Sequence, residues 1–445
     1  MSFIKEVIIM KKETNNSGYR VVKKENLYKF EMKLKNPHVE KYFKNMSYDD
    51  IVYYNNWQNC GIVEYLNSKM KINKIDKELN LQSILINNYI LEIYFKNNSR
   101  CSIENICELI RDFYNDRQLH ITRMFGSYIL LKQEGTNLKA VRSTPIPIKY
   151  CPLMIKLLKE VSGVSSENII RSINSQDIKL QEKSMCDLIN ETVISTGYFD
   201  TNRPLNSCEA NVLFGASETM ASAFESGIID AAVIVSNNLG TIITTNPFNT
   251  QGAVKRMTGL FYTTTNKNIV DTAISEKIIP VFPYTGKIDQ LEGVKQAIKL
   301  GYKKIAVSVA ASDNYLLKEI KELEDSDIII YKFGLCSTGI DLNTVTIMKD
   351  NADIVWSCAS KYVKEVIEPN ALAQVGIKIP VHIMTERGYK IVKNHLEKLN
   401  NNNEEFNVCL TKGEEKPIFY NSDSKIKVLQ KKSLRKCSDC PYPCV

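Results

Sequence analysis

The chain has 445 residues, a formal net charge of +8, 44% hydrophobic residues, and twelve cysteines against four histidines. That length and apolar fraction predict two or three domains with true cores, which excludes a disordered or fibrous chain. No apolar run reaches the roughly 18 to 20 residues that cross a bilayer, the start lacks a secretion signal, and the charge is spread along the sequence, so neither a membrane nor nucleic acid is expected as a partner.

Residues 1–120 are rich in Lys, Asn, Tyr and Ile and hold only Gly18 and Gly61 of the 19 glycines. Ile103, Ile106, Leu109, Ile110 and Phe113 recur at helical spacing across Ser102 to Tyr114. A small helical or α+β accessory domain is expected here, suited to dimerisation or another homo-oligomer.

Sixteen glycines lie between Gly126 and Gly388, where turns between strands and helices need residues that tolerate positive φ. Thr122 to Glu134 and Leu138 to Ile146 read as a hairpin turned at Gly135-Thr136-Asn137. Helix and strand then alternate: Gly215–Ser226 before Ala231–Val235, Ile288–Leu300 before Lys304–Val309, Leu316–Leu323 before Ile328–Tyr331, and Leu342–Asn351 before Ile354–Trp356. A last pair is Lys361–Val366 and Ile377–Ile383. Near-continuous apolar strands between amphipathic helices predict an α/β core over 121–395, a mostly parallel sheet with helices on both faces. Residues 396–445 form a linker and a tail carrying six basic residues between Lys425 and Lys436, suited to docking a protein partner, and ending in Cys437, Cys440 and Cys444.

Standard nucleotide fingerprints are absent: there is no Gly-x-Gly-x-x-Gly after a strand and no Gly-x-x-x-x-Gly-Lys-Ser/Thr. Chemistry is therefore sought at strand carboxyl ends, where ligands sit in parallel sheets. Four such ends collect small polar groups that suit an anionic ligand: Asn237 and Asn238; Ser312; Ser337, Thr338 and Gly339; Ser360 and Lys361. The same residues can equally cap helices. Lys287, Asp289 and Glu292 offer a cation and two carboxylates at a helix start, for acid/base work or for capping. Cys358, and with it Cys336, follows a strand and can be a nucleophile, a metal ligand or a packed thiol. In the reducing cytoplasm expected for this chain, thiols serve as core side chains or metal ligands rather than disulfides. The spacing Cys437-x2-Cys440-x3-Cys444, with Pro441 and Pro443 barring a helix, suits an iron-sulfur cluster, or zinc as the other metal.

The stretch from His120 to His395 resembles the methanogenesis marker protein 8 family. The resemblance rests on Ile148 to Leu153, Phe214 to Glu218, Gly227 to Ile234, Gln251 to Gly259, Ile288 to Val294, Cys358 to Tyr362 and Gln374 to Gly376. The resemblance itself implies no particular activity; the Asn/Lys/Ile-rich composition points to an anaerobe, and three clustered thiolates in a chain with polar strand ends point to a role in assembling or activating a metal or redox cofactor. The resemblance does not extend to the first 115 or so residues or to the cysteine tail. A cluster-independent enzyme acting on a phosphorylated or carboxylated metabolite through Lys287, Asp289, Glu292 or Cys358 is the other reading, and a non-catalytic docking module a third.

Overall fold

The computed structural model describes residues 7–12, 18–35, 37–46, 62, 65–66, 79–87, 89–98, 101–115, 117–134, 137–147, 164–173, 175–208, 214–254, 259–375, 380–402, 417–420 and 427–429. The chain forms two compact units. One comprises Met1–Leu119, Lys132–Lys139 and Thr264–Lys267; the other comprises His120–Leu131, Ala140–Thr263 and Asn268–Val445.

In the first unit, β1 (Val7–Lys12), β2 (Tyr19–Lys24), β3 (Leu27–Lys33), β4 (Leu79–Asn87) and β5 (Ile90–Asn97) form an antiparallel sheet in the order β1-β2-β3-β5-β4. Buried Leu91, Ile93 and Phe95 alternate with Glu92, Tyr94 and Lys96, the period of two that lays one face of a strand on a core. The helix predicted near Ser102 forms as α1 (Ile103–Asn115) and buries Ile106 and Ile110. The Tyr19 hydroxyl donates to Glu108 of that helix at 2.7 Å, tying it to β2.

The segment read as one strand from Thr122 is two, β6 (Leu119–Met124) and β7 (Ser127–Glu134). The chain reverses between them through Phe125 and Gly126, both at positive φ. With β8 (Asn137–Ser143) and β11 (Leu260–Thr263) they form a four-stranded sheet in the order β11-β6-β7-β8. Helices α2 (Val164–Ile173) and α3 (Ile178–Ile189) follow β8 in the chain.

The large sheet overturns the expectation of a mostly parallel arrangement. Its ten described strands are β9 (Ala231–Ser236), β10 (Gly240–Thr244), β12 (Ile279–Pro280), β13 (Lys304–Ala310), β14 (Ile329–Leu335), β15 (Ile354–Trp356), β16 (Ala373–Val375), β17 (Val381–Ile383), β18 (Pro417–Tyr420) and β19 (Lys427–Leu429). They run in the order β12-β10-β9-β13-β14-β15-β17-β16-β19-β18. Only β9, β13, β14 and β15 are mutually parallel; every other pairing in the sheet is antiparallel. The reason is local. Parallel neighbours need a long crossover, which α7 (Gln290–Lys299), α8 (Tyr315–Lys321) and α9 (Leu342–Asn351) supply, whereas a tight turn returns the chain antiparallel. Ser236 to Gly240 is such a turn, with Asn238 and Gly240 both at positive φ.

Helices do cover both faces. Along β9, Ala231 and Val233 face a core built with Val294 and Ala297 of α7, Leu317 and Ile320 of α8, and Val345 and Met348 of α9. Ala232 and Ile234 face the opposite core. It is built with Met220 and Ala223 of α4 (Ala216–Glu225), Ile269 and Ala273 of α6 (Lys267–Ser275), and Ile391, Val392 and Leu396 of α10 (Glu386–Asn402). The short α5 (Pro247–Ala253), capped by the Asn246 side chain, also packs against it through Ala253.

Candidate functional site at the carboxyl ends of the parallel strands

Because β9, β13, β14 and β15 run the same way, their carboxyl ends share one edge. At the end of β9, the Asn238 amide donates to Thr263 Oγ1 at 2.8 Å, and the same hydroxyl lies 2.8 Å from His120 Nδ1. At the end of β14, a Cβ on Gly259 would come within 2.9 Å of Cys336 Sγ. The segment from Gly259 to Thr263 therefore crosses the edge from β14 to β9. Thr122 of β6 secures it by donating to the Gly259 carbonyl.

Arg203 sits at the β9 end. Its Nη2 donates to Ser236 Oγ at 3.0 Å and to the Asn237 carbonyl at 2.8 Å, and Nη1 reaches the Asp200 carbonyl at 3.3 Å. All three acceptors are neutral, and among the described residues no carboxylate comes within ion-pair distance. Burial pushes its pKa down to about 9, with Asp200 opposing, so the guanidinium remains charged at neutral pH. Burial, reinforced by Arg203, holds His120 down to about 3, so its imidazole is neutral.

The ends of β14 and β15 are laced together. Ser337 donates to the Trp356 carbonyl at 2.8 Å and accepts from the Cys358 amide at 2.9 Å; the Gly339 amide donates to the Ala359 carbonyl at 2.9 Å. Arg123 stacks on Tyr128, its guanidinium 5.1 Å from the ring centre, and donates to the Cys336 carbonyl at 3.1 Å and the Thr338 carbonyl at 2.6 Å. Part of Cys336 reaches solvent, yet its surroundings desolvate the thiol. That burial, with Cys358 adding to it, pushes the pKa up to about 12 against the pull of Arg123.

The residues singled out from sequence divide accordingly. The side chains of Asn237, Ser337 and Ser360 are engaged within the protein: Asn237 Nδ2 donates to the Tyr198 carbonyl at 2.5 Å, Ser337 bridges two strands, and Ser360 accepts from the Val363 amide. Asn238 and Thr338 are buried, while Ser312, Gly339 and Lys361 are exposed. Asp289 caps α7 by accepting from the Glu292 amide at 3.0 Å and pairs with the exposed Lys287 at 2.7 Å. The Glu292 side chain is exposed. This is a helix cap with a surface ion pair, and Cys358 lies at a different strand end. Cys437, Cys440 and Cys444 lie outside the described residues. Among the described residues no group of three His, Cys, Asp or Glu side chains is placed to hold a metal ion. Sequence reasoning missed Arg123, Arg203 and His120, which stand in no motif; only the fold carries them to strand ends.

The second unit, an α/β core around a mixed sheet with a polar carboxyl edge, is the part of the chain that defines its family. The chain belongs to the DUF2099 family, described as uncharacterized proteins conserved in archaea, whose profile matches residues 120–397. Over 273 residues the chain is 33% identical to the uncharacterized protein MJ0054 of Methanocaldococcus jannaschii, an alignment covering 61% of this chain and 89% of that protein. Within the matched region, Gln251 Nε2 donates to buried Glu218 at 3.0 Å, and the Trp356 indole donates to the Phe214 carbonyl at 2.6 Å. No helix among the described residues is long and apolar enough to cross a membrane.

Proposed function

We propose that the core unit binds a small anion, a phosphate or carboxylate group, at the carboxyl end of β9. The observation that carries this is Arg203: a desolvated guanidinium that donates to three neutral oxygens, with no carboxylate of the described residues at ion-pair distance. A guanidinium has five N–H donors, so two remain for a ligand, and this partly exposed cation, which feels Asp200 but forms no direct ion pair among the described residues, can accept an anion. Neutral His120 beside it adds no competing positive charge. Calorimetric titration of the full chain with inorganic phosphate, and separately with a small dicarboxylate, tests this. Binding that is lost in Arg203→Gln and retained in weakened form in Arg203→Lys supports the reading; no heat with either ligand, or unchanged binding in Arg203→Gln, overturns it.

The tail supplies the second element of the proposal. Cys437, Cys440 and Cys444 have the spacing of thiolate ligands to an iron-sulfur cluster, with zinc the other suitable metal, and the basic run before them suits an acidic partner protein. Together with the motif likeness to methanogenesis marker protein 8, these features favour a role in assembling or activating a metal or redox cofactor in an anaerobe. Anaerobic purification followed by iron and sulfide analysis decides the cluster. Absence of both, or iron unchanged in Cys437→Ser/Cys440→Ser, removes it.

A further inference from the structure

We propose that the chain forms a homodimer through the outer edge of β4, two copies pairing antiparallel about Leu85 and joining their five-stranded sheets into one. β4 lies outside the family match to residues 120–397, so the inference stands independently of the anion site. It is the terminal strand of its sheet, and among the described residues no strand pairs with its outer side. Such an edge presents a row of backbone N–H and C=O groups, which proteins normally guard with charge, proline or very short strands. β1, at the other side of the sheet, carries Lys11 and Lys12. β4 has none of these guards: its nine residues, Leu-Asn-Leu-Gln-Ser-Ile-Leu-Ile-Asn, include no charge and no proline.

The register of β4 on β5 shifts once, between Leu81 and Ser83, and is regular from Ser83 to Asn87. Leu85 is the midpoint of that regular stretch. Asn87 pairs with Ile90 across a two-residue connection, which makes them a hydrogen-bonded pair. Alternation along the ladder then turns the N–H and C=O groups of Leu85 toward β5 and those of Ile84 and Ile86 outward. A second copy aligned with Leu85 opposite Leu85 sets Ile84 opposite Ile86 on both sides of the two-fold axis. All the outward-turned groups of these residues then fall into hydrogen-bonded pairs.

The side chains favour the same register. Leu85 and Ile90 are 39% and 40% exposed and lie diagonal to one another on the face of β4 and β5 that turns away from the core. The two-fold axis brings Leu85 against its counterpart in the second copy, so two exposed apolar pairs become one covered cluster. Ser83 meets Asn87 beside it, and with no charge anywhere on β4, like charges do not oppose each other across the seam. One stretch read against itself thus satisfies both backbone and side chains, which is the self-complementarity that an isologous contact requires.

Sedimentation equilibrium of the full chain in the tens-of-micromolar range is expected to give twice the chain mass. Leu85→Lys places two ammonium groups at the axis and should raise the dimer dissociation constant by at least about tenfold, with the circular dichroism of the parent retained. Leu85→Cys tests the register in the folded dimer. Residues of a non-hydrogen-bonded pair have α-carbons about 4.5 Å apart, within disulfide reach, so mild oxidation and peptide mapping should show the two copies linked through position 85. Lys11→Cys on β1 should give no link between the two copies of position 11. A full chain at monomer mass overturns the proposal, and so does a dimer that keeps its affinity in Leu85→Lys. A dimer without the position-85 link overturns it too, even where Leu85→Lys fails to fold.

Discussion

Lys332 and Asp353 form an ion pair in which Nζ and Oδ2 are 3.4 Å apart and each side chain is only 1% exposed. The backbone amide of Lys332 also donates to Asp353 at 2.8 Å, Lys332 Nζ pairs with Glu324 at 3.0 Å, and Arg387 donates to Asp353 at 2.6 Å. Two cations thus balance two carboxylates between β14, the start of β15 and α10. Removing one partner strands a buried charge, so Lys332→Met is expected to destabilise the protein by about 3–5 kcal/mol in denaturant unfolding. Lys303→Met, which breaks the exposed pair with Asp327, should cost no more than about 1 kcal/mol.

Acid should weaken the fold in two stages. Burial holds His120 at about 3 and His382 at about 4, below the roughly 6.5 of an unfolded histidine, so the unfolded chain takes up these protons first. Stability therefore falls as pH drops from about 6.5 toward 4, by up to about 1.4 kcal/mol per unit for each histidine. Glu324 adds a second stage. Burial alone would raise its pKa, but Arg387, the Ile330 amide and Lys332 outweigh that and hold it below the carboxylate range. Its contribution is full above about pH 4.3 and is lost as pH falls through the lowered folded value. Melting temperatures at pH 7, 5 and 3 check both; equal values at pH 7 and 5 would contradict the histidine assignment.

Gly240→Ala is expected to cost about 2–4 kcal/mol. Its φ is 71°, and an added Cβ would lie 2.4 Å from the backbone of Gly286, which cannot yield as a side-chain tip can. Gly227 has a similar φ of 66° with nothing within 4 Å of an added methyl, so Gly227→Ala should cost only about 1–2 kcal/mol. Chemical unfolding of the two variants gives the comparison, and equal losses would show that turn strain alone governs both.

Asp289→Ala removes the cap of α7 and should cost about 1 kcal/mol of stability. Lys287→Ala breaks only an exposed pair and should cost less than about 1 kcal/mol. Neither side chain is part of the Arg203 arrangement, so phosphate titration of Lys287→Ala should match the parent protein; a large loss of affinity would move the site toward α7.

The sequence by itself determined the local elements wherever periodicity was long and well punctuated. Leu342–Asn351 forms the predicted helix over that same span, Ile354–Trp356 the predicted strand, and α7 and β13 lie within a residue or two of expectation. Alternating burial along β9 also follows directly from an apolar run that must satisfy two cores. Strand direction was not legible, because Ala231 to Ser236 reads the same whether its neighbour runs parallel or antiparallel. Only the turn through Asn238 and Gly240 and the crossover helices decide it, and they make the large sheet mixed. The site likewise belongs to the tertiary structure. The polar residues at strand ends, conspicuous in the sequence, largely satisfy one another's backbone groups. Arg203, undistinguished in the chain, becomes a largely desolvated cation because β9 ends against it. Cys336 and Cys358, separated by 21 intervening residues, come to adjacent strand ends because β14 and β15 pair in parallel. Side-chain chemistry is written residue by residue, but proximity across a sheet is set by pairing and burial, which no local pattern encodes.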